Sequence, residues 1–362
     1  KTHIDHLDRT FHQVVLNVAA AEREEMAVIL NPIVGPEPIA GSTRMKSGTT
    51  TKIILETLAL MAFSRHNCEL GLTVHGLVSM YRDVCQAVYD QAESLGQLIQ
   101  IAGESLRCGG HLYYLGCDGV GLMGIIDASE CRPTFGAAFD DIRGFVQGGI
   151  KDLDSHPISA VQPKCEDSIK SSCFSLHISI DICPAIALET ISNQKATAVI
   201  MCEEESSMKG APPEPINAER EKILNMLGQL AQEAAMKWTV NCVSTGAHIL
   251  LGKVYRNLMV DVRVSNVKLL YRACGIIQDV CSLKETESWI CLLKSIYGTD
   301  SQTTAQTSTL AVNHVLAAAE INKIVPTAIL LGLTNCSVEH AHSLLDKEPN
   351  LSIVLKDLLP DK

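Results

Sequence analysis

The chain has 362 residues, enough for two or three domains, and 46% of them are hydrophobic while only 4% are aromatic, so its core is aliphatic and rich in alanine. A formal net charge of −11 excludes sequence-independent binding to nucleic acid or to an anionic membrane, since both need a basic surface. Fourteen cysteines, with no C-x-x-C pair and no His/Cys ligand spacing, argue against a metal or disulfide framework and for a reducing compartment. Among them, Cys117, Cys131, Cys183, Cys202, Cys242 and Cys291 stand in apolar surroundings, where a free thiol acts as a small hydrophobe. No apolar run reaches the length of a membrane span, and no signal-peptide pattern is present. The expected location is cytoplasmic and nuclear, and no cofactor is expected.

The chain starts without Met inside a helix-like stretch, and this predicts an N-terminally truncated piece of a longer protein. Residues 4–24 place Ile4, Leu7, Phe11, Val14, Val15 and Val18 at helical spacing. Residues 26–30 form a short apolar run and read as a buried strand, ended by Asn31 and Pro32. The loop 35–52 follows, with glycines, hydroxyls, Arg44, Lys46 and Lys52, and it feeds an apolar helix over 53–63. The N–H groups of a helix start hold anions, hydroxyls add donors, and an arginine grips phosphate with two N–H groups. The residue types alone leave two readings open: an anion site, or an ordinary capped helix with surface charge. The P-loop order is absent.

Residues 75–106 predict a helix with a break near 94–96. A turn at 108–110 and a strand over 111–115 come next, then a glycine loop over 116–121 and a helix to about Ala128. The glycine order is not the dinucleotide fingerprint, and Asp118 would repel a phosphate, so this loop reads as structural. Glu130, Arg132, Asp140, Asp141 and Arg143 read as a solvated, salt-bridged sheet edge. Residues 151–175 read as loop, 178–182 and 196–201 as strands, and 203–215 as an acidic, proline-rich boundary. Helices are predicted over 218–236, 244–259, 265–281, 286–296, 304–321, 325–333 and 337–346. Ser244 starts the second of these. Asn266 caps the third, with Lys268 in its first turn, where a lysine opposes the helix dipole unless an anion is near.

Several motifs together carry a family resemblance. Ile39-Ala40-Gly41-Ser42-Thr43-Arg44-Met45-Lys46-Ser47-Gly48, Ser244-Thr245-Gly246-Ala247-His248, the stretch 251–263 and Asn266-Val267-Lys268-Leu269 resemble the signatures of N-acetylmuramic acid 6-phosphate etherases and of glucokinase regulatory proteins. Nearly two hundred residues separate the first two motifs, and within them 111–116, Glu130-Cys131 and 134–145 resemble a second sugar-isomerase (SIS) domain. That layout is the regulatory one. The resemblance implies an α/β fold of flavodoxin-like, parallel-sheet SIS domains followed by an all-α C-terminal lid. It implies the remainder of a first SIS domain over 1–70, a short second SIS domain over 71–216 and a helical lid over 217–362.

By the same resemblance, Arg44 and Lys268 bind a fructose phosphate between the first SIS domain and the lid, with Ser42, Thr43, Lys46 and Glu130 as further candidates. The implied function is regulatory rather than enzymatic: sensing fructose 6-phosphate or fructose 1-phosphate and inhibiting a glucokinase or hexokinase partner. The alternative is an etherase-like lyase, and a third reading is a degenerate SIS protein that has lost ligand binding. Three departures from the family pattern stand out. The first half of the first SIS domain, with its phosphate loops and the etherase's catalytic glutamates, is not in these 362 residues, so no catalytic residue is assigned and weak or no ligand binding is expected of them alone. Pro133 replaces a residue able to hydrogen-bond. Residues 215–221 are polar where the regulatory proteins carry an apolar, kinase-contacting run.

Overall fold

The computed structural model describes residues 3–4, 9–64, 72–116, 118–146, 174–180, 183–191, 197–203, 218–301 and 310–358. Cys117, most of the loop expected over 151–175, the acidic boundary from 204 onward and the start of the helix expected over 304–321 lie outside them. The chain forms two compact units, Lys1–Pro36 and Glu37–Lys362.

In the first unit β1 (His3–Ile4) pairs antiparallel with β2 (Arg9–Thr10), and α1 (Phe11–Arg23) follows. Thr10 and Gln13 cap α1 reciprocally, which satisfies two amides that would otherwise lack partners. The strand expected over 26–30 is not formed. The segment is irregular and open to solvent, with Met26 79% and Val28 80% exposed. Hydrophobicity alone does not make a strand: its N–H and C=O groups need a neighbouring strand, and this segment pairs with none among the described residues.

The second unit begins with α2 (Lys46–Ser64), α3 (Val74–Tyr89) and α4 (Ala92–Arg107). The break between the last two falls at Asp90 and Gln91, not at 94–96. Gly96 is tolerated inside α4, whose Leu95, Leu98 and Ala102 share the buried face. A turn at Gly109, with φ +74°, leads to β3 (Leu112–Gly116). Helix α5 (Asp118–Phe135) then runs well past Ala128. Pro133 sits inside its last turn, where it removes one i→i−4 hydrogen bond shortly before the helix ends. Glu130 and Arg132 therefore lie on a helix rather than a sheet edge. The expected edge pair survives only as Asp140–Arg143 (3.0 Å), at the start of β4 (Ile142–Val146).

Strands β5 (Phe174–Ile180), β6 (Cys183–Ile191) and β7 (Thr197–Glu203) complete a five-stranded sheet of order β4-β3-β7-β6-β5. β3 is parallel to both β4 and β7, while β7-β6-β5 is antiparallel. The parallel centre carries the α/β architecture, and the antiparallel strands extend one edge. β6 had no counterpart in the sequence reading.

The next element is a single helix, α6 (Ala218–Leu250), where two helices were expected. It packs along α3, α4 and α5. Ser244 does not start a helix but sits in the interior of α6, and 251–264 is non-helical. That stretch holds the small hairpin β8 (Val254–Tyr255) and β9 (Leu258–Met259). The remaining helices are α7 (Val267–Cys281), α8 (Glu285–Tyr297), α9 (Ala311–Ala318), α10 (Ile324–Thr334), α11 (Val338–Lys347) and α12 (Leu351–Leu358). α10 is buried from Ile324 to Leu331, so it is the apolar centre against which α7, α8 and α11 pack. Among the described residues no helix is long and apolar enough to cross a membrane.

Candidate functional site

The loop before α2 is held from several sides. Its Ala40 N–H donates to Asn257 O (2.8 Å), which adds the loop as a short bridge to the β8–β9 hairpin. Gly41 adopts φ +84°, and the guanidinium of Arg272 lies against it and donates to its carbonyl (3.3 Å). Lys237 of α6 donates to the carbonyl of Arg44 (2.7 Å). The start of α2, the expected anion site, already holds an anion. Glu37 accepts from the amides of Lys46 and Ser47 (both 2.9 Å) and from the Ser47 hydroxyl (2.7 Å). Burial works against the Glu37 charge, but these bonds and Lys46 outweigh it and hold its carboxyl below the usual range. A side chain nine residues upstream thus does the work of an N-cap.

Arg44 turns inward. Its side chain is only 7% exposed, and it pairs with Asp127 of α5, whose side chain is 1% exposed. Its second terminal nitrogen donates to Thr245 Oγ1 (3.0 Å) and Ser244 Oγ (3.3 Å), and its guanidinium lies 5.3 Å from the centre of the Phe135 ring. Asp127 also accepts from Asn241 Nδ2 (2.7 Å), Tyr114 OH (3.0 Å) and Ser244 Oγ (3.2 Å). Burial disfavours the Arg44 charge, and the Asp127 carboxylate more than offsets it, so Arg44 is held firmly cationic. Lys237 is pushed down to about 8, first by burial and then by the Arg44 charge, against the pull of Asp127. His248 stacks on Phe135 with ring centres 4.3 Å apart, and burial pushes it down to about 3. Its Nδ1 lies 2.7 Å from Ser244 O.

The second glycine loop follows the same pattern. A Cβ on Gly119, in the first turn of α5, would meet Glu233 Oε1 at 2.0 Å. Glu233 in turn pairs with Lys52 (2.6 Å), which also pairs with Glu56, and Glu56 accepts from Tyr81 OH. The protein's own carboxylates therefore stand at the starts of both α2 and α5.

The sequence-predicted residues take different places. Ser42 is buried, and among the described residues its hydroxyl has no hydrogen-bond partner; the Nε of Arg44 has none there either. Thr43 and Lys268 are exposed, and Lys46 is half-buried. Lys268 lies in the first turn of α7, behind the Asn266 cap, which accepts from Leu269 N (2.9 Å). It is one turn before Arg272, so the helix surface that touches Gly41 also carries Lys268. No hydrogen bond or ion pair joins Lys268 itself to the loop. Glu130 is exposed on α5, one turn beyond Asp127.

Asp127, Lys237 and Asn241 escaped the sequence reading. A signal was there: Lys237, Asn241, Ser244, Thr245 and His248 recur at three- and four-residue spacing, a polar stripe on a helix otherwise lined with Ala234, Ala235, Val240, Val243 and Ala247.

Two family models match the chain. One, described as the second SIS domain of glucokinase regulatory protein, covers residues 89–178, and the other, the C-terminal lid domain of glucokinase regulatory protein, covers 256–355. The glucokinase regulatory protein of Xenopus laevis is 30% identical over 370 residues, taking in 93% of this chain and 59% of that relative. The one from Homo sapiens is 29% identical over 387 residues, with 98% and 62% covered. An N-acetylmuramic acid 6-phosphate etherase of Gloeothece citriformis is 30% identical over 260 residues, covering 63% of this chain and 81% of the enzyme. The chain thus spans about three fifths of the length of the regulatory proteins it matches. Sharing the SIS-type sheet, the helical lid and matched sequence in both, the chain belongs to the glucokinase regulatory protein family, a SIS-domain group related to N-acetylmuramic acid 6-phosphate etherases.

Proposed function

We propose that the protein is a sugar-phosphate-sensing regulator. It takes fructose 6-phosphate or fructose 1-phosphate between the Gly41–Lys46 loop and the first turn of α7, and it inhibits a glucokinase- or hexokinase-type partner in the cytoplasm and nucleus. One observation carries the reading. Arg272 lays α7 against Gly41, while the buried Ser42 hydroxyl and the Arg44 Nε have no hydrogen-bond partner among the described residues. Buried polar atoms left unpaired are costly, and a ligand hydroxyl or phosphate oxygen would satisfy them. Lys268 is the exposed cation on the same helix and supplies the phosphate partner. Arg44 has both terminal nitrogens engaged by Asp127, Thr245 and Ser244, so its first task is to hold the loop in place. Thr43, Lys46 and Glu130 rank behind Ser42, Arg44 and Lys268. Because α7 belongs to the lid, ligand on this surface favours the lid position that fits it, and that shift is what a partner reads.

Calorimetric titration with both fructose phosphates, on a chain that includes a complete first SIS domain, tests the proposal. Binding that Lys268→Ala weakens at least tenfold supports it; heats that are the same with and without Lys268 refute it. The etherase reading is favoured by the identity to the Gloeothece citriformis enzyme over 260 residues. Release of lactate from N-acetylmuramic acid 6-phosphate would put that reading in first place.

A further inference from the structure

A cleft is lined by residues on either side of the β8–β9 hairpin in the chain, Lys253 before it and Asp261, Val262 and Arg263 after it. It has a volume of about 340 Å³ and is walled by the turn after α5, by Lys253 and 261–263, and by the entry to α10. That is the size range of small-molecule pockets. None of the residues expected to bind fructose phosphate lines it.

Its charges can be followed one at a time. Lys253 is paired with Asp261. Lys323 is turned to Leu345 O (2.9 Å) and Asp346 (3.0 Å). Asp141 accepts from the amide of Ala138 (2.7 Å). Arg263 is left: its side chain lines the cleft and makes no hydrogen bond or ion pair with any described residue. The first turn of α10 opens at the same place, and no side chain caps it. Pro326 has no N–H and the Thr327 amide is taken by Lys323 O (3.0 Å), so it is the helix dipole that adds positive potential to that of Arg263. Asp141, Asp261 and Asn322 supply hydroxyl partners along the rest of the wall. Gly136 has φ +64°, and a Cβ there would meet Asp261 O at 2.5 Å, so the end of α5 and the hairpin segment touch backbone to backbone.

We propose that this cleft is a second ligand site, for a small phosphorylated polyol or sugar. Its phosphate meets Arg263 and the start of α10, and its hydroxyls meet Asp141, Asp261 and Asn322. The site is independent of the fructose phosphate reading, because it uses other residues.

The test is calorimetry with inorganic phosphate and with glycerol 3-phosphate, on protein carrying Lys268→Ala so that the first site is weakened. The expected result is tighter binding of glycerol 3-phosphate than of phosphate, and a loss of about tenfold or more on adding Arg263→Gln, as for removal of a charge-assisted hydrogen bond. Amide exchange over 321–328 should slow on adding glycerol 3-phosphate, and this readout needs no change at Arg263, so it decides the matter even if that variant does not fold. No binding by the Lys268→Ala protein, equal binding with and without Arg263, or unchanged exchange over 321–328 overturns the proposal.

Discussion

Replacing Asp127 with alanine should be among the most damaging single changes in this protein. The carboxylate is buried and accepts hydrogen bonds from Arg44, Asn241, Tyr114 and Ser244. Without it, the Arg44 guanidinium remains 93% buried, with hydroxyls, the Cys131 thiol and an aromatic ring near it but no anion to pair with among the described residues. Breaking a buried pair by removing one partner costs about 3–5 kcal/mol, because the surviving charge has no water to return to. Most of the loss comes from that stranded cation. Removing it as well, in Arg44→Met/Asp127→Ala, should therefore recover a large part of the stability.

Urea unfolding followed by fluorescence checks this. The chain has two tryptophans, and Trp238 sits on α6 three residues before Asn241. In a Trp289→Phe background it reports this region alone. The expected coupling between the two substitutions is at least about 2 kcal/mol. If the two single losses simply add to within about 0.5 kcal/mol, the pair is not the brace described here and the argument fails.

Four further outcomes follow from the same structure. Gly136→Ala should cost more than Gly41→Ala, although both glycines have positive φ. The new methyl would meet the fixed carbonyl of Asp261 in the first case and the movable end of Arg272 in the second, which leaves Gly41→Ala at about 1–2 kcal/mol of backbone strain; comparing urea midpoints decides it. Glu37→Ala should destabilise by about 1 kcal/mol, as for loss of an N-cap, and should speed amide exchange at Lys46 and Ser47; protection unchanged at those amides would count against the capping role. The His248 pKa is pushed from the usual 6.5 down to about 3, so between those values the unfolded chain binds a proton that the folded chain refuses; stability should fall as pH drops through that window, and His248→Gln should flatten the fall. The Lys237 pKa is pushed from 10.5 to about 8, and the sign is again set by the unfolded chain holding more protons: stability should gain as pH rises from about 8 to 10.5. Subtracting the profile of Lys237→Met from that of the parent isolates this gain from the opposing ionisation of tyrosines and cysteines.

Helices whose ends are written locally could be read from the chain. Asn266 caps α7 through Leu269, three residues away, and Ser337 caps α11 through His340 N (3.2 Å). Their buried positions repeat at helical spacing, and the SIS and lid motifs were legible as runs of adjacent residues. Errors arose where a local pattern had two physical meanings. Ser244-Thr245-Gly246 looks like a helix start, since hydroxyls followed by glycine suit a cap. In the fold those hydroxyls serve Arg44, 200 residues earlier, and Gly246 admits the Ile99 side chain, which a Cβ would meet at 2.6 Å. The run 26–30 has a strand's composition but no strand beside it.

The candidate site shows the same division. That an arginine and hydroxyls gather over 41–52 ahead of a helix was legible in residue types and order alone, although the helix begins at Lys46 rather than at 53. That Glu37 already fills the helix start, that Arg44 turns inward to Asp127, and that α7 brings Arg272 onto Gly41 depended on contacts between residues 9, 83 and 231 positions apart. A buried charge takes whichever partner the packed chain brings within reach, and no local pattern records that partner in advance.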